Sequence, residues 1–334
     1  MPEPARPSTM RAVVARRYGT AEVVEIDDIA VPTPGPTDVL IEVAASSLNA
    51  LDWHFLTGTP YLIRPTSGLR RPTGRVTPGA DVCGTVVAIG EKVDKYAVGD
   101  VVFGECEGGG CAPYLVTGED NVVLVPDGVS TKAVAATPVA GLTALQGLRT
   151  EADLRPGEEV LINGAAGGVG TFAVQIAKAM DARVTAVCSA RNVDMVRSLG
   201  ADTVVAYDEE DFVPGGPRFD VMLDNVGNRS PIECRSVLKA DGRYVAISGP
   251  KENRWFGPVG HIARAWFTFR RSSQSFHQFT ASPNHDDLTF LGELLADGRL
   301  EPEIDRVIGL DDVAAGLAEI GTGHTRAKIV VTLT

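Results

Sequence analysis

The residues of this chain best suited to chemistry form one run, Val160-Leu161-Ile162-Asn163-Gly164-Ala165-Ala166-Gly167-Gly168-Val169-Gly170. An apolar stretch enters a glycine-rich turn, and residues 171–179 continue with helical character. Glycine permits a tight turn and lets backbone N–H groups close on a pyrophosphate, while the positive end of the helix dipole favours that anion. With 36 glycines in the chain, spacing alone would carry little weight; the strand before and the helix after supply it. Gly164, Ala166, Gly167, Gly168, Val169 and Gly170 are therefore the expected dinucleotide contacts.

The next strand, 183–188, runs into Ser189-Ala190-Arg191-Asn192. An NAD-binding unit carries Asp or Glu there to hold the ribose 2′-hydroxyl, yet positions 186–192 hold no carboxylate. A hydroxyl and a guanidinium suit a 2′-phosphate, so Ser189 and Arg191 predict NADPH, with Tyr207 at the end of the third strand as a third partner. A charged hydrogen bond contributes about 1.5–3 kcal/mol, roughly one to two orders of magnitude in preference. Ligands sit at the carboxyl ends of parallel strands. Asn225 and Val226, ending the fourth strand, and Ser248 and Gly249, ending the fifth, should face the ribose and nicotinamide.

The elements that must hold these residues fall into two patterns. In the first third, short apolar runs at 10–15, 39–44, 82–89, 101–103 and 122–125 alternate with turn residues and read as strands. Helical periodicity follows over 132–148. Strands at 158–163, 183–188, 203–207, 219–224 and 242–248 then alternate with helices at 168–180, 192–199 and 230–239, a parallel sheet with crossovers. A helix at 255–269, a sixth strand at 272–279, a helix at 286–295 and a strand at 328–332 complete the reading. The chain of 334 residues carries a net charge of −12, which argues against nucleic acid as a partner. No apolar run approaches the roughly 18 residues of a membrane span, and no apolar leader is read at the N-terminus. Five cysteines without a C-x-x-C pair suggest reduced thiols and a cytoplasmic home. Arg64, Arg70, Arg71 and Arg75 read as a solvated loop, or as a receiver for an anionic substrate.

Four further segments carry a family resemblance. Pro78-Gly79-Ala80-Asp81-Val82-Cys83-Gly84-Thr85-Val86 is similar to a P-G-x-D-x-x-G-x-V segment, and Val98-Gly99-Asp100-Val101-Val102-Phe103-Gly104 to V-G-D-x-V-x-G. Ala140-Gly141-Leu142-Thr143-Ala144 is similar to the helix preceding the cofactor unit. Ala327-Lys328-Ile329-Val330 is similar to a terminal G-K-I-V strand, with Ala in place of Gly. Over nearly its whole length the chain resembles the medium-chain dehydrogenase/reductase superfamily. Zinc members of that family carry an early Cys and a Gly-His-Glu segment, and their structural zinc takes four Cys. Here those positions hold Ser46-Ser47-Leu48-Asn49 and Gly79-Ala80-Asp81, and no Cys cluster is present. Asn49-Ala50-Leu51-Asp52-Trp53 is similar to the N-x-x-D stretch of the zinc-independent quinone oxidoreductase branch.

The resemblance implies an α/β fold: a Rossmann doubly wound parallel sheet over 131–280 plus a GroES-like β-rich catalytic domain from 1–130 and 281–334. It implies hydride transfer from NADPH without metal. A simple ketone would lack its Lewis acid, whereas a quinone, enone or other activated alkene delocalises the incoming charge and needs only hydrogen-bond donors. Asn49 is expected to orient the nicotinamide or the substrate carbonyl, Asp52 to brace the loop, and His54 or water to give the proton. Trp53 and Tyr61 are expected to line an aromatic substrate pocket, Thr143 to lie near the nicotinamide, and Lys328 to reach a phosphate or to pair structurally. A homodimer through the sixth strand is expected. The alternatives are an enoyl-thioester or secondary-metabolite pathway reductase, and a non-enzymatic NADPH-binding protein of the crystallin kind.

Overall fold

The computed structural model describes residues 7–73, 76–249 and 255–333. Two large sheets organise them. Six parallel strands stand in the order Thr203–Ala206, Arg183–Cys188, Glu159–Asn163, Phe219–Asp224, Leu238–Ala246, Ser275–Gln278. The chain moves outward in one direction from Glu159–Asn163, then returns to pair on its other side with Phe219–Asp224. That reversal opens a crevice at the carboxyl ends of these two central strands. Val160, Leu161 and Ile162 are all fully buried, as expected of a strand covered on both faces.

The second sheet follows the order Ile304–Ile308, Lys328–Thr332, Asp38–Leu48, Asp81–Ile89, Val101–Glu105, Val122–Leu124, with Tyr114–Gly118 also pairing Asp38–Leu48. The C-terminal strand thus returns to the β-rich first third, where Ile329 faces Leu48 and Val331 faces Ser46. One apolar cluster joins the two sheets, running from Ala45, Cys83 and Phe103 through Leu142 and Leu145 to Val160 and Ile162. The crevice is therefore walled by both sheets.

Three departures from the sequence reading have local causes. The helix expected over 132–148 is divided into Thr131–Ala136 and Pro138–Leu145, because Pro138 lacks the N–H that would continue the first helix and its ring crowds the preceding turn. The helix expected from 255 begins at Val259, just after Pro258. Glu25–Ala30, an unread strand, pairs with Thr9–Val14; its sequence EIDDIA is half polar and mostly exposed, so no apolar run announced it.

Candidate functional site

The glycine-rich turn has the geometry its composition suggested. Gly164 has φ +79°, a conformation costly for a side chain-bearing residue. A Cβ on Gly170 would lie 2.2 Å from the Gly164 carbonyl oxygen, so only glycine lets the helix Gly168–Ala179 start this close to the strand. A Cβ on Gly167 would meet only that same carbonyl oxygen, at 3.6 Å, leaving its other side open for a ligand's approach. Ala166 and Val169 complete the turn. The turn and helix N-terminus fit a pyrophosphate.

At the far end of the crevice, Ser189 follows Arg183–Cys188 and accepts a 3.1 Å hydrogen bond from the Asn192 amide. Arg191 is exposed and donates to the His324 carbonyl at 3.4 Å. Tyr207 is half exposed, and its N–H donates to the Cys188 carbonyl at 2.9 Å. The structure therefore places all three at the carboxyl ends of the second and third strands. It adds one residue that the sequence reading missed: Asp208, whose carboxylate accepts the Ala190 N–H at 2.8 Å.

The central strands end in a polar knot. Asn163 donates to Asp224 at 2.8 Å and to Asn228 at 3.0 Å. The fully buried Asp224 also accepts the N–H groups of Val226 and Gly227 and the Tyr244 hydroxyl. Burial, and then the Asp224 charge, drive the Tyr244 pKa far above its ordinary value, so its hydroxyl stays a donor. His261 Nε2 stands 3.4 Å from that hydroxyl, and burial lowers its pKa. This knot sets Asn225 and Val226 at the crevice. Asn225 donates to the Asn163 carbonyl, while its Oδ1 is buried with no partner among the described residues, an acceptor suited to a ligand donor. Val226 packs over Gly164. A Cβ on Gly227 would fall 2.5 Å from the Gly249 Cα, so the loops carrying Ser248 and Gly249 and Asn225 and Val226 touch.

On the β-rich side a second polar cluster abuts the turn. Lys328 Nζ, fully buried, donates to Asn49 Oδ1 at 2.5 Å and to Asp81 Oδ2 at 3.1 Å. The same carboxylate oxygen accepts the Asn49 amide at 2.8 Å and the Ser47 hydroxyl. Its other oxygen caps the helix Pro138–Leu145 through the Val139 N–H, at 2.8 Å. Both ends of the Asn49 side chain are thus engaged, and the amide is held rather than loose. Lys328 pairs structurally here, yet its stem runs 3.4 Å from the place of a Gly168 Cβ, and the Ala327 N–H donates to the Ala166 carbonyl. Thr143, one helical turn on, is half-buried and donates to the Val139 carbonyl.

Asp52 accepts the N–H groups of Asn49 and Gly79, both at 2.8 Å, tying helix Ala50–Thr57 to the 77–81 segment. Burial raises its pKa to about 6. Burial also pushes the thiols of Cys83 and Cys106 up to about 12, so neither is a thiolate at neutral pH. Among the described residues no group of three or more His, Cys, Asp or Glu side chains could share a metal ion. Ser46 instead donates to the Asp81 carbonyl, and Ala80 is fully buried.

At the mouth, Tyr61 meets Trp255 edge to face at 5.1 Å, and the Leu62 N–H donates to the Trp255 carbonyl. These contacts tie Trp255 to the segment around Tyr61 and Leu62 of the β-rich side. The Arg64 guanidinium covers the Tyr61 ring at 4.2 Å. Trp53, expected at the pocket wall, is half-buried. Its ring lies against Gly321, where a Cβ would be 2.4 Å away, and packs with the cluster of Leu48 and Leu317. His54 Nδ1 is 2.9 Å from the Thr59 carbonyl. Arg70 and Arg71 are exposed, and Arg75 lies outside the described residues. His277 stands on the edge strand beside Glu151 and Ser275.

Comparison with known proteins agrees with this architecture. Residues 35–142 match the "Alcohol dehydrogenase GroES-like domain" family model, and residues 199–331 match "Zinc-binding dehydrogenase". Quinone-oxidoreductase QR1, chloroplastic, of Triphysaria versicolor is 33% identical over 96% of this chain and 98% of its own length. The trans-enoyl reductase pgmF of Aspergillus terreus is 33% identical over 97% and 96%. The solved quinone oxidoreductase of Coxiella burnetii superposes with a TM-score of 0.85 at 28% identity, covering 98% of this chain and all of that one. The chain belongs to the medium-chain dehydrogenase/reductase superfamily, in its quinone oxidoreductase-like branch. It is accordingly an oxidoreductase of a family whose members bind a nicotinamide cofactor. Among the described residues no helix is long and apolar enough to cross a membrane.

Proposed function

We propose that this protein is an NADPH-dependent reductase that transfers a hydride to a quinone, an enone or another activated alkene without a metal ion. The observation that carries the reading is the Lys328–Asp81–Asn49–Ser47 cluster. It sets a buried ammonium and a fixed amide beside the glycine-rich turn, while Ser46 and Ala80 offer neither thiolate nor imidazole to a metal. NADPH supplies the hydride. The turn holds its pyrophosphate, Ser189 and Arg191 its 2′-phosphate, and Asn225 Oδ1 accepts a donor from the nicotinamide half. Thr143 and Ser248 lie along the same crevice. An acceptor that spreads the incoming charge over an enolate or hydroquinone anion needs only placed donors, each contributing about 2.7–4 kcal/mol.

Water is the favoured proton source. If His54 donates its Nδ1–H to the Thr59 carbonyl, a neutral ring leaves Nε2 an acceptor, so His54 gives a proton only as imidazolium. The Tyr61–Trp255 contact supports an aromatic pocket wall on Tyr61. The outer edge of Ser275–Gln278 has no strand beside it among the described residues, which supports pairing across a homodimer. Five buried free cysteines support a reducing compartment, which we take to be the cytoplasm.

An NADPH-oxidation screen against quinones, enones, enoyl thioesters and simple ketones, with chelator present, tests the reading. Activity on simple ketones alone, or its loss to the chelator, refutes it. The similarity to a trans-enoyl reductase and the exposed Arg70 and Arg71 favour a second reading, an enoyl-thioester reductase. Charge reversal at those two arginines should damage thioester reduction and spare quinone reduction.

A further inference from the structure

We propose that Asp208 is a specificity-determining residue of the cofactor site: its carboxylate holds a ribose 2′-hydroxyl and opposes a 2′-phosphate, so the chain accepts NADH as well as NADPH. The inference rests on the nicotinamide reading above and qualifies its preference for the phosphorylated form.

The placement is read from the ends of the second and third strands. The second and third strands run parallel with Ala206 opposite Cys188. The ladder continues past the strand ends through the Tyr207 N–H and the Cys188 carbonyl. Beyond the strand ends both segments turn, and Asp208 accepts the Ala190 N–H through Oδ1 at 2.8 Å. Ala190 lies between Ser189 and Arg191. The carboxylate that an NAD-binding unit usually carries at the end of its second strand is thus supplied here by the third.

The charge of Asp208 is not spent on its neighbour. Arg191 donates to the His324 carbonyl, and among the described residues no ion pair joins it, or any other cation, to Asp208. Glu209, Glu210 and Asp211 follow directly, and of these Asp211 pairs with Arg229. The end of the crevice therefore presents Ser189 and Arg191 to a phosphate and Asp208 to a hydroxyl. A carboxylate accepts a hydroxyl hydrogen bond well, and it repels a phosphate carrying nearly two negative charges.

Capping the Ala190 N–H is the alternative role, and Asp208→Asn separates the two. Its amide oxygen still accepts that N–H while the charge is gone. Isothermal titration of the full chain with 2′,5′-ADP and with 5′-AMP reads the 2′ position without turnover. In Asp208→Asn, 2′,5′-ADP should bind about tenfold more tightly, the size of effect expected for a carboxylate about 5 Å from a dianion in a water-like dielectric. The ratio of the two affinities should move at least that far, and the shift should shrink at high salt. Asp208→Ser, which also keeps a short capping oxygen, should move the ratio the same way, and Arg191→Ala the opposite way. A ratio unchanged within twofold in both Asp208 variants, with thermal midpoints intact, overturns the inference and leaves a loop brace. Wild-type protein that binds neither NADPH nor NADH overturns the nicotinamide reading and this inference together.

Discussion

Replacing Lys328 by Met tests the cluster at the heart of the proposed site. Lys328 and Asp81 are 1% and 0% exposed, so neither charge has water to fall back on. Met keeps the apolar stem that passes Gly168 and removes only the ammonium. Asp81 then remains buried and charged, and losing one partner of a buried pair costs about 3–5 kcal/mol. Three donors remain on Asp81, from Ser47, Asn49 and Val139, which places the loss near the lower end, about 3 kcal/mol. For the β-rich unit, at about 2–4 °C per kcal/mol, this lowers Tm by on the order of 10 °C. Thermal melts by circular dichroism at pH 7 read it. Adding Asp81→Asn removes the orphaned charge and should recover more than half of the loss, because the two sites are coupled. A Lys328→Met loss below about 1 kcal/mol, or two variants whose effects simply add, would refute the argument that these charges hold each other.

Three other outcomes follow from single positions. Ala327 has φ +47°, where the family motif has Gly; Ala327→Gly should raise stability by about 0.5–1 kcal/mol, read as a rise in Tm. Gly170→Ala puts a Cβ 2.2 Å from the Gly164 carbonyl oxygen. It should cost about 1–3 kcal/mol of stability and weaken NADPH at least about tenfold, measured by fluorescence titration. Asp52 has a pKa raised by burial to about 6, so the fold binds its proton more tightly than the unfolded chain. Stability from this group is present below the ordinary carboxylate range and is lost as pH rises through about 6. Compared with Asp52→Asn, the wild type should lose about 2.4 kcal/mol between pH 4 and pH 7.5 in denaturant titrations; parallel curves would refute this.

What the sequence showed and what it hid divide along the range of the interactions. The glycine-rich turn was legible because its demands are local: Gly164 needs a positive φ, and Gly170 must approach a carbonyl six residues back. The parallel strands were legible because burial on both faces leaves an apolar run such as Val160-Leu161-Ile162. Glu25–Ala30 was hidden because an exposed edge strand needs no such run. The packing of Trp53 was hidden for the same kind of reason: an aromatic residue near a site says nothing of which neighbour its ring meets, and here the ring lies against Gly321.

The charged residues that matter most were the least legible, since their roles arise from pairings between distant segments. Asn49 and Lys328 are 279 positions apart and meet because the last strand returns to Asp38–Leu48. Asp208 acts 18 positions from Ala190 because two parallel strands align. A search for a carboxylate along 186–192 finds none, although the register brings one there from the next strand. The two cases share a consequence for mechanism. In the proposed site both ends of the phosphate-binding region draw on distant segments: Lys328 of the last strand lies beside the glycine-rich turn, and Asp208, just past the third parallel strand, lies beside Ser189 and Arg191. Shifting the Lys328–Thr332 register by one residue would turn the Lys328 side chain to the opposite face, away from Asp81. The clamp at Lys328 is therefore a property of sheet alignment, and variants that loosen the last strand should reproduce part of the Tm loss expected of Lys328→Met.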